Sequence, residues 1–304
     1  MLKTVLVPLD GSPLAEGVLP YAESLAQASG AELFLLTAIP EVATSGEYFG
    51  QRDLQKESEQ AREYLAATSK QLSDLGLKIR TDVIVGIDVA GIILDCSQDC
   101  DADLIAMSTH GRTGITRWIY GSVTDKVLHH THQPLLLVHS SKEEKPLRPL
   151  PVRRILVPLD GSPLAASVLP FVKGLAKDMG ATIVLFHAVP PVGSYAGMAP
   201  DVNLGAVLED LQKQGQEYLT QIAREIQAEG LETEAYVTLG FAVDDILRVS
   251  QEKQVDLIAL GTHGRSGIGR WIMGSVTDAV LRRSALPCLV VRPEESQIKA
   301  AAAE

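Results

Sequence analysis

The segment VLVPLDGSPLAEGVLP at positions 5–20 returns almost unchanged as ILVPLDGSPLAASVLP at 155–170. A second segment, STHGRTGITRWIYGSVTDKVL at 108–128, returns as GTHGRSGIGRWIMGSVTDAVL at 261–281. Both repeats keep their order at a spacing of about 150 residues. That is the length of a domain, far beyond the roughly 20–50-residue period of a solenoid. The chain therefore reads as one fold built twice.

In the first half, residues 2–7 form an apolar run closed by Pro8, and residues 14–28 carry apolar side chains at helical spacing before Gly30. The pattern is strand, turn, helix. Further strands are expected at 33–38, 78–85, 104–107 and 135–138, with helices at 54–75, 89–97 and from the later part of the repeated segment to about residue 130. The second half repeats the series, with strands near 155–157, 183–186, 233–237, 257–260 and 289–291. Nearly all-apolar strands alternating with helices predict an α/β fold: two tandem Rossmann-like domains, each a parallel sheet covered on both faces and joined by right-handed crossovers. The expected boundaries are 1–140 and 153–293, with a linker at 141–152 and a tail at 294–304. The linker region SSKEEKPLRPLPV mixes charge with three prolines, which suits extended chain. Residues 190–205, PPVGSYAGMAPDVNLG, form a long Gly/Pro-rich connection open to two readings, a lid over a site or a disordered loop.

A net charge of −11 excludes a nucleic-acid backbone or an anionic membrane surface as the main partner. The three cysteines, Cys96, Cys100 and Cys288, lack the paired spacing of a zinc site or a disulfide framework. A reducing, cytoplasmic setting fits them. The start, MLKTVLVPLDGS, is too short in apolar residues for a signal peptide, and no run of about 18 apolar residues occurs.

Ligands of open parallel sheets sit beyond the carboxyl ends of the strands, where the strand order reverses. Two loops lie on that edge in each half: residues 8–12 after the first strand and the repeated glycine loop after the fourth. In the second half Gly261, Gly264 and Gly274 let backbone N–H groups approach a phosphate closely, and the helix near Ser275 aims its unpaired N–H groups at the same spot. Ser275 and Thr277 add hydroxyls. Neither GxxxxGK[ST] nor GxGxxG occurs.

A strand ending in PLDGS, followed far downstream by G-x2-G-x9-G-[ST], resembles the universal stress protein family in its ATP-binding subgroup, over nearly the whole chain. Gly261, Gly264, Gly274 and Ser275 match that pattern in full; in the first half Gly111, Gly121 and Ser122 match, while Ser108 replaces the first glycine. The resemblance implies five parallel strands in order 3-2-1-4-5, ATP between strands 1 and 4, and often Mg or Mn on its phosphates. It implies that Asp10 and Asp160 contact the ribose or adenine end and that the backbone of Ala38 and Ala188 contacts adenine. The phosphates would be held by Gly111, Gly114 and Gly121 with Ser122, Val123 and Thr124, and by Gly261, His263, Gly264, Arg265 and Gly274 with Ser275, Val276 and Thr277. Ser108 adds a Cβ where Gly261 has none, which either crowds the phosphate or merely costs a little affinity, and tighter binding is expected in the second half.

Plainer readings stand beside these. Asp10 and Asp160 precede glycine, a frequent Asx-turn position. Ser122 and Ser275 begin an S-x-x-D pattern and suit helix N-caps. His110 and His263 either orient the loop or act as a base; Arg112, Arg117, Arg265 and Arg270 either meet phosphates or are simply solvated; Trp118 and Trp271 suit loop packing. His129, His130 and His132 near a helix end are structural. No catalytic residue and no protein metal-ligand set is assigned. The apolar fifth strands, PLLLVHS and PCLVVRP, are expected to pair as edges and make the chain an intrachain pseudo-dimer, with a homodimer and an unidentified protein partner left open. The function expected is a stress-response protein with ATP as a regulatory ligand. The alternatives are a slow ATP hydrolase, for which His263 or Asp278 would position water, and a nucleotide-free interaction module.

Overall fold

The computed structural model describes residues 2–41, 54–109, 121–139, 150–191, 203–262 and 273–293. His110, Gly111, Arg112, Gly114, Arg117, Trp118, His263, Gly264, Arg265, Arg270 and Trp271 lie outside the described residues, as do the tail and most of the expected linker and of the 190–205 loop. The chain divides into two compact units, Met1–Pro151 and Val152–Glu304.

In the first unit the elements are β1 (Thr4–Pro8), α1 (Pro13–Glu16), α2 (Leu19–Ser29), β2 (Glu32–Pro40), α3 (Leu54–Ser73), β3 (Lys78–Gly86), α4 (Val89–Asp99), β4 (Leu104–Ser108), α5 (Ser122–His130) and β5 (Leu135–Val138). The strands are parallel in order β3-β2-β1-β4-β5. The second unit contains β6 (Arg154–Pro158), α6 (Pro163–Ala166), α7 (Leu169–Met179), β7 (Thr182–Val189), α8 (Leu204–Ala228), β8 (Thr233–Leu239), α9 (Ala242–Glu252), β9 (Leu257–Gly261), α10 (Ser275–Arg283) and β10 (Cys288–Val291). Its order is β8-β7-β6-β9-β10, again parallel, so each unit has the order 3-2-1-4-5.

The central strands are buried on both faces: Val5, Leu6 and Val7 of β1 and Ile155, Leu156 and Val157 of β6 expose nothing. This is why they read as unbroken apolar runs rather than as an alternation. The outer strand β3 is exposed at most positions and carries Lys78, Arg80 and Asp82, charges that discourage further pairing at that edge.

One expected element is split. The single helix anticipated over 14–28 is two, α1 and α2, with the chain turning at Gly17 and Val18. Pro20 has no N–H to give the Glu16 carbonyl four residues back, and its ring crowds that oxygen. Pro170 opposes Ala166 in the same way between α6 and α7, where Ser167 takes the place of Gly17, so the proline is the common cause. Gly30 and Gly180 end α2 and α7 in the left-handed region, at φ 75° and 63°.

Candidate functional site

β1 pairs with β2 on one side and β4 on the other, so the strand order reverses between β1 and β4, and likewise between β6 and β9. The crevice at that reversal is bounded by a turn after the first strand and a helix start after the fourth.

The turn is the D-G-S segment. Asp10 Oδ1 accepts the Ser12 N–H at 2.9 Å, and Ser12 Oγ accepts the Ala15 N–H at 3.1 Å, capping α1. Asp160 Oδ1 accepts both the N–H (2.9 Å) and the hydroxyl (2.6 Å) of Ser162, which in turn caps α6 through Ala165. Gly11 and Gly161 sit at φ 76° and 86°, which a side chain would resist. The Asx turn is therefore present, and it sets the carboxylate at the corner after the first strand of each unit. Burial first, then the Asp160 carboxylate, push the Tyr218 hydroxyl of α8 up. Tyr64 of α3 is raised by burial, then Glu16, with a smaller part from Asp10.

A backbone edge faces the same space. The Leu159 N–H donates to the Phe186 carbonyl at 2.8 Å, just past the last β6–β7 pair, and Leu9 does the same to Leu36. Along a parallel strand alternate residues turn both backbone groups to the same side. Ala188, two residues after Phe186, therefore directs its N–H and C=O past the end of β6, and Ala38 directs its own past the end of β1.

The helix start supplies donors. The first bonded amides are Asp125 on the Gly121 carbonyl and Asp278 on the Gly274 carbonyl, each at 2.9 Å. The N–H groups of Ser122, Val123 and Thr124, and of Ser275, Val276 and Thr277, thus have no partner within their helices, and they share the positive end of the helix dipole. The cap positions belong to Gly121 and Gly274, without a side-chain bond, so the two serines are the first helical residues rather than N-caps. Both serine side chains are exposed. The threonine hydroxyls are committed elsewhere, Thr124 to the Ser108 carbonyl at 3.1 Å and Thr277 to the Gly261 carbonyl at 3.4 Å. They lash the helix to the strand end, so that among the described residues each helix start offers an anion its backbone N–H groups and the exposed serine hydroxyl.

Gly261 has a packing role beside the one expected. A Cβ there would lie 2.7 Å from the Leu164 carbonyl oxygen and 2.9 Å from that of Ala165, so the close approach of α6 requires the glycine with or without a ligand. Ser108 is accommodated in the first unit at 7% exposure. Packing against α6 by itself accounts for the glycine.

In the second unit these features open on one cavity of about 660 Å³. Asp160, Ala188, Gly261, Gly274, Ser275, Val276 and Thr277 all line it, together with residues that the sequence reading did not single out: Leu164 and Ala165 of α6, Phe186, Ala242, Ile246 and Met273. The latter are apolar residues of α6, β7, α9 and the segment before α10, far apart in sequence, so they come together only in the fold. Among the described residues no cluster of three or more His, Cys, Asp or Glu is placed to hold a metal ion. Asp278 binds Arg282 through both oxygens at 2.9 Å. The three thiols are free; burial pushes those of Cys96 and Cys288 up to about 12. No helix of the described residues is long and apolar enough to cross a membrane.

A model of the universal stress protein family matches residues 1–139 and 151–292. The chain belongs to the universal stress protein family. A universal stress protein of Mycolicibacterium smegmatis is 25% identical over 297 residues, covering 95% of this chain and 97% of the relative. The crystal structure of a universal stress protein from Archaeoglobus fulgidus shares the fold at TM-score 0.70 and 22% identity, covering 96% of this chain and 97% of the other. A universal stress protein solved in complex with cAMP is 23% identical and matches 46% of this chain and 98% of its own at TM-score 0.36.

Proposed function

We propose that this universal stress protein binds an adenine nucleotide, ATP in the first instance, as a regulatory ligand in the crevice of its second unit. The observation that carries the reading is the convergence on one cavity of about 660 Å³ of three groups suited to the three parts of a nucleotide. The outward backbone edge of Ala188 offers a donor and an acceptor to the rim of a base lying against apolar Phe186 and Ile246. Asp160 accepts from ribose hydroxyls. The free N–H groups of Ser275, Val276 and Thr277 meet phosphate oxygens at the positive end of α10. Mg or Mn, when present, would ride on the phosphates, since the described residues supply no cluster of acidic or histidine ligands for it. The first unit repeats the D-G-S turn, the Ala38 edge and the helix start at Ser122. Three unpaired thiols suit a reducing compartment, and we place the protein in the cytoplasm.

Mass analysis of small molecules released by boiling the purified protein is the direct test. ATP with Mg at about 100 times its dissociation constant is expected to stabilise the fold by roughly 2.7 kcal/mol. An unmoved melting curve at millimolar nucleotide, with nothing released on boiling, refutes the reading.

A further inference from the structure

The two units differ in a contact behind the D-G-S turn. In the second unit, His187 near the end of β7 has Nδ1 2.8 Å from the carbonyl oxygen of Leu159. A carbonyl only accepts, so Nδ1 carries the proton and donates. The Leu159 N–H is itself bonded to the Phe186 carbonyl at 2.8 Å. Leu159 is thus gripped through both backbone groups, and the carbonyl held by His187 belongs to the peptide that leads into Asp160. Room for the imidazole comes from Gly215 on α8, where a Cβ would stand 2.7 Å from His187 Cδ2. Tyr218 meets the ring edge-on, with centroids 6.4 Å apart.

The first unit has the same frame without the grip. LFLLTAIP at 33–40 aligns with IVLFHAVP at 183–190, and QAREYL at 60–65 with QGQEYL at 214–219, so Thr37 replaces His187 and Ala61 replaces Gly215. The Leu9 N–H still bonds the Leu36 carbonyl at 2.8 Å. Thr37 is only 6% exposed, yet its Oγ1 has no hydrogen-bond partner among the described residues. A buried hydroxyl left unpaired is uncommon. Here it marks the place where the second unit has a donor long enough to reach the turn and the first does not.

We infer that His187 is a positioning residue of the second crevice: it holds the Asp160 turn in shape before a ligand arrives, and so makes the second crevice the tighter of two unequal nucleotide sites. The claim about affinity rests on the nucleotide reading above; the grip is a property of the free protein. Fixing a binding group in advance removes an ordering cost from association.

The test uses three variants of the full chain: H187T/G215A, which installs the pair found in the first unit; H187N, whose side-chain amide donates from about the place of Nδ1; and the reciprocal T37H/A61G. In ligand-free protein, H187T/G215A is expected to speed amide exchange at Gly161 and Ser162, and in an ATP titration to weaken the tighter site about three- to tenfold, the worth of one net hydrogen bond. H187N restores both values, and T37H/A61G tightens the weaker site. Thermal unfolding of each variant verifies that it folds. Unchanged exchange or affinity in H187T/G215A overturns the inference. So does H187N losing as much as H187T/G215A, because the ring would then only fill space. Wild-type protein that binds no adenine nucleotide, with exchange responding as expected, overturns the nucleotide reading and the affinity claim but not the grip.

Discussion

Replacing Gly261 by serine imports the residue that the first unit carries at Ser108. Its Cβ would stand 2.7 Å from the Leu164 carbonyl oxygen, 2.9 Å from that of Ala165 and 3.2 Å from the Ala165 Cα. Carbon–oxygen contacts in proteins close at about 3.3 Å, so the first overlap is about 0.6 Å. Its partner is backbone, which cannot rotate away as a side-chain tip does. The α6 turn must retreat, and with it the Ser162 cap and the Leu164 and Ala165 wall of the cavity. Overpacking of this kind costs about 1–3 kcal/mol. For a unit of this size each kcal/mol lowers the melting temperature by about 2–4 °C. G261S is therefore expected to melt several degrees below wild type in the absence of nucleotide, measured by calorimetry. Ligand-free G261S that melts with wild type would refute the packing argument and return Gly261 to a phosphate-specific role.

The counterpart is G121A. Among the described residues its Cβ would meet only the Thr109 carbonyl oxygen at 3.7 Å, and Gly121 already has φ −58° and ψ 150°, so stability should stay within about 0.5 kcal/mol while any phosphate affinity of the first unit falls, read by titration calorimetry. D160N keeps an oxygen for the Ser162 N–H but turns the second carboxylate oxygen into an amide donor; the melting temperature should hold while ATP binding weakens about threefold or more. Glu234 is drawn down to about 2 from 4.5, first by hydrogen bonds from Arg154 at 2.7 and 2.8 Å and then by Tyr236. A depressed carboxylate stabilises the fold above its unfolded pKa, and that contribution is lost as pH falls through the folded value, so E234Q should flatten the stability profile between about pH 4.5 and 2. Cys96 and Cys288, raised to about 12 by burial, should resist iodoacetamide at pH 8 until the chain unfolds, whereas half-buried Cys100 is modified first, as peptide mass mapping will register.

Much of the fold was legible because its signals are local. Apolar runs such as residues 104–107 and 135–138 cannot be solvated, and Gly30 and Pro8 punctuate the elements beside them. The helix break before Pro20 was legible too, since it depends on a missing N–H and a ring, but the hydrophobic periodicity ran across it and masked it. The D-G-S turn and the glycine loop stood out in the chain, and the family resemblance supplied the Ala188 position. What they face did not: Phe186, Ile246 and Met273 are separated in sequence and meet only at the cavity.

By itself the sequence determined the duplication, the alternation of strands and helices, and the groups suited to bind an anion at a helix start, because each depends on residues within a few positions of one another. Only the tertiary structure decided which of those groups remain available. Thr124 and Thr277 spend their hydroxyls on strand-end carbonyls, Gly261 is required by α6, and His187 reaches Leu159 where Thr37 cannot reach Leu9. Each of those outcomes depends on a distance between segments far apart in the chain, set by how helices pack on the sheet.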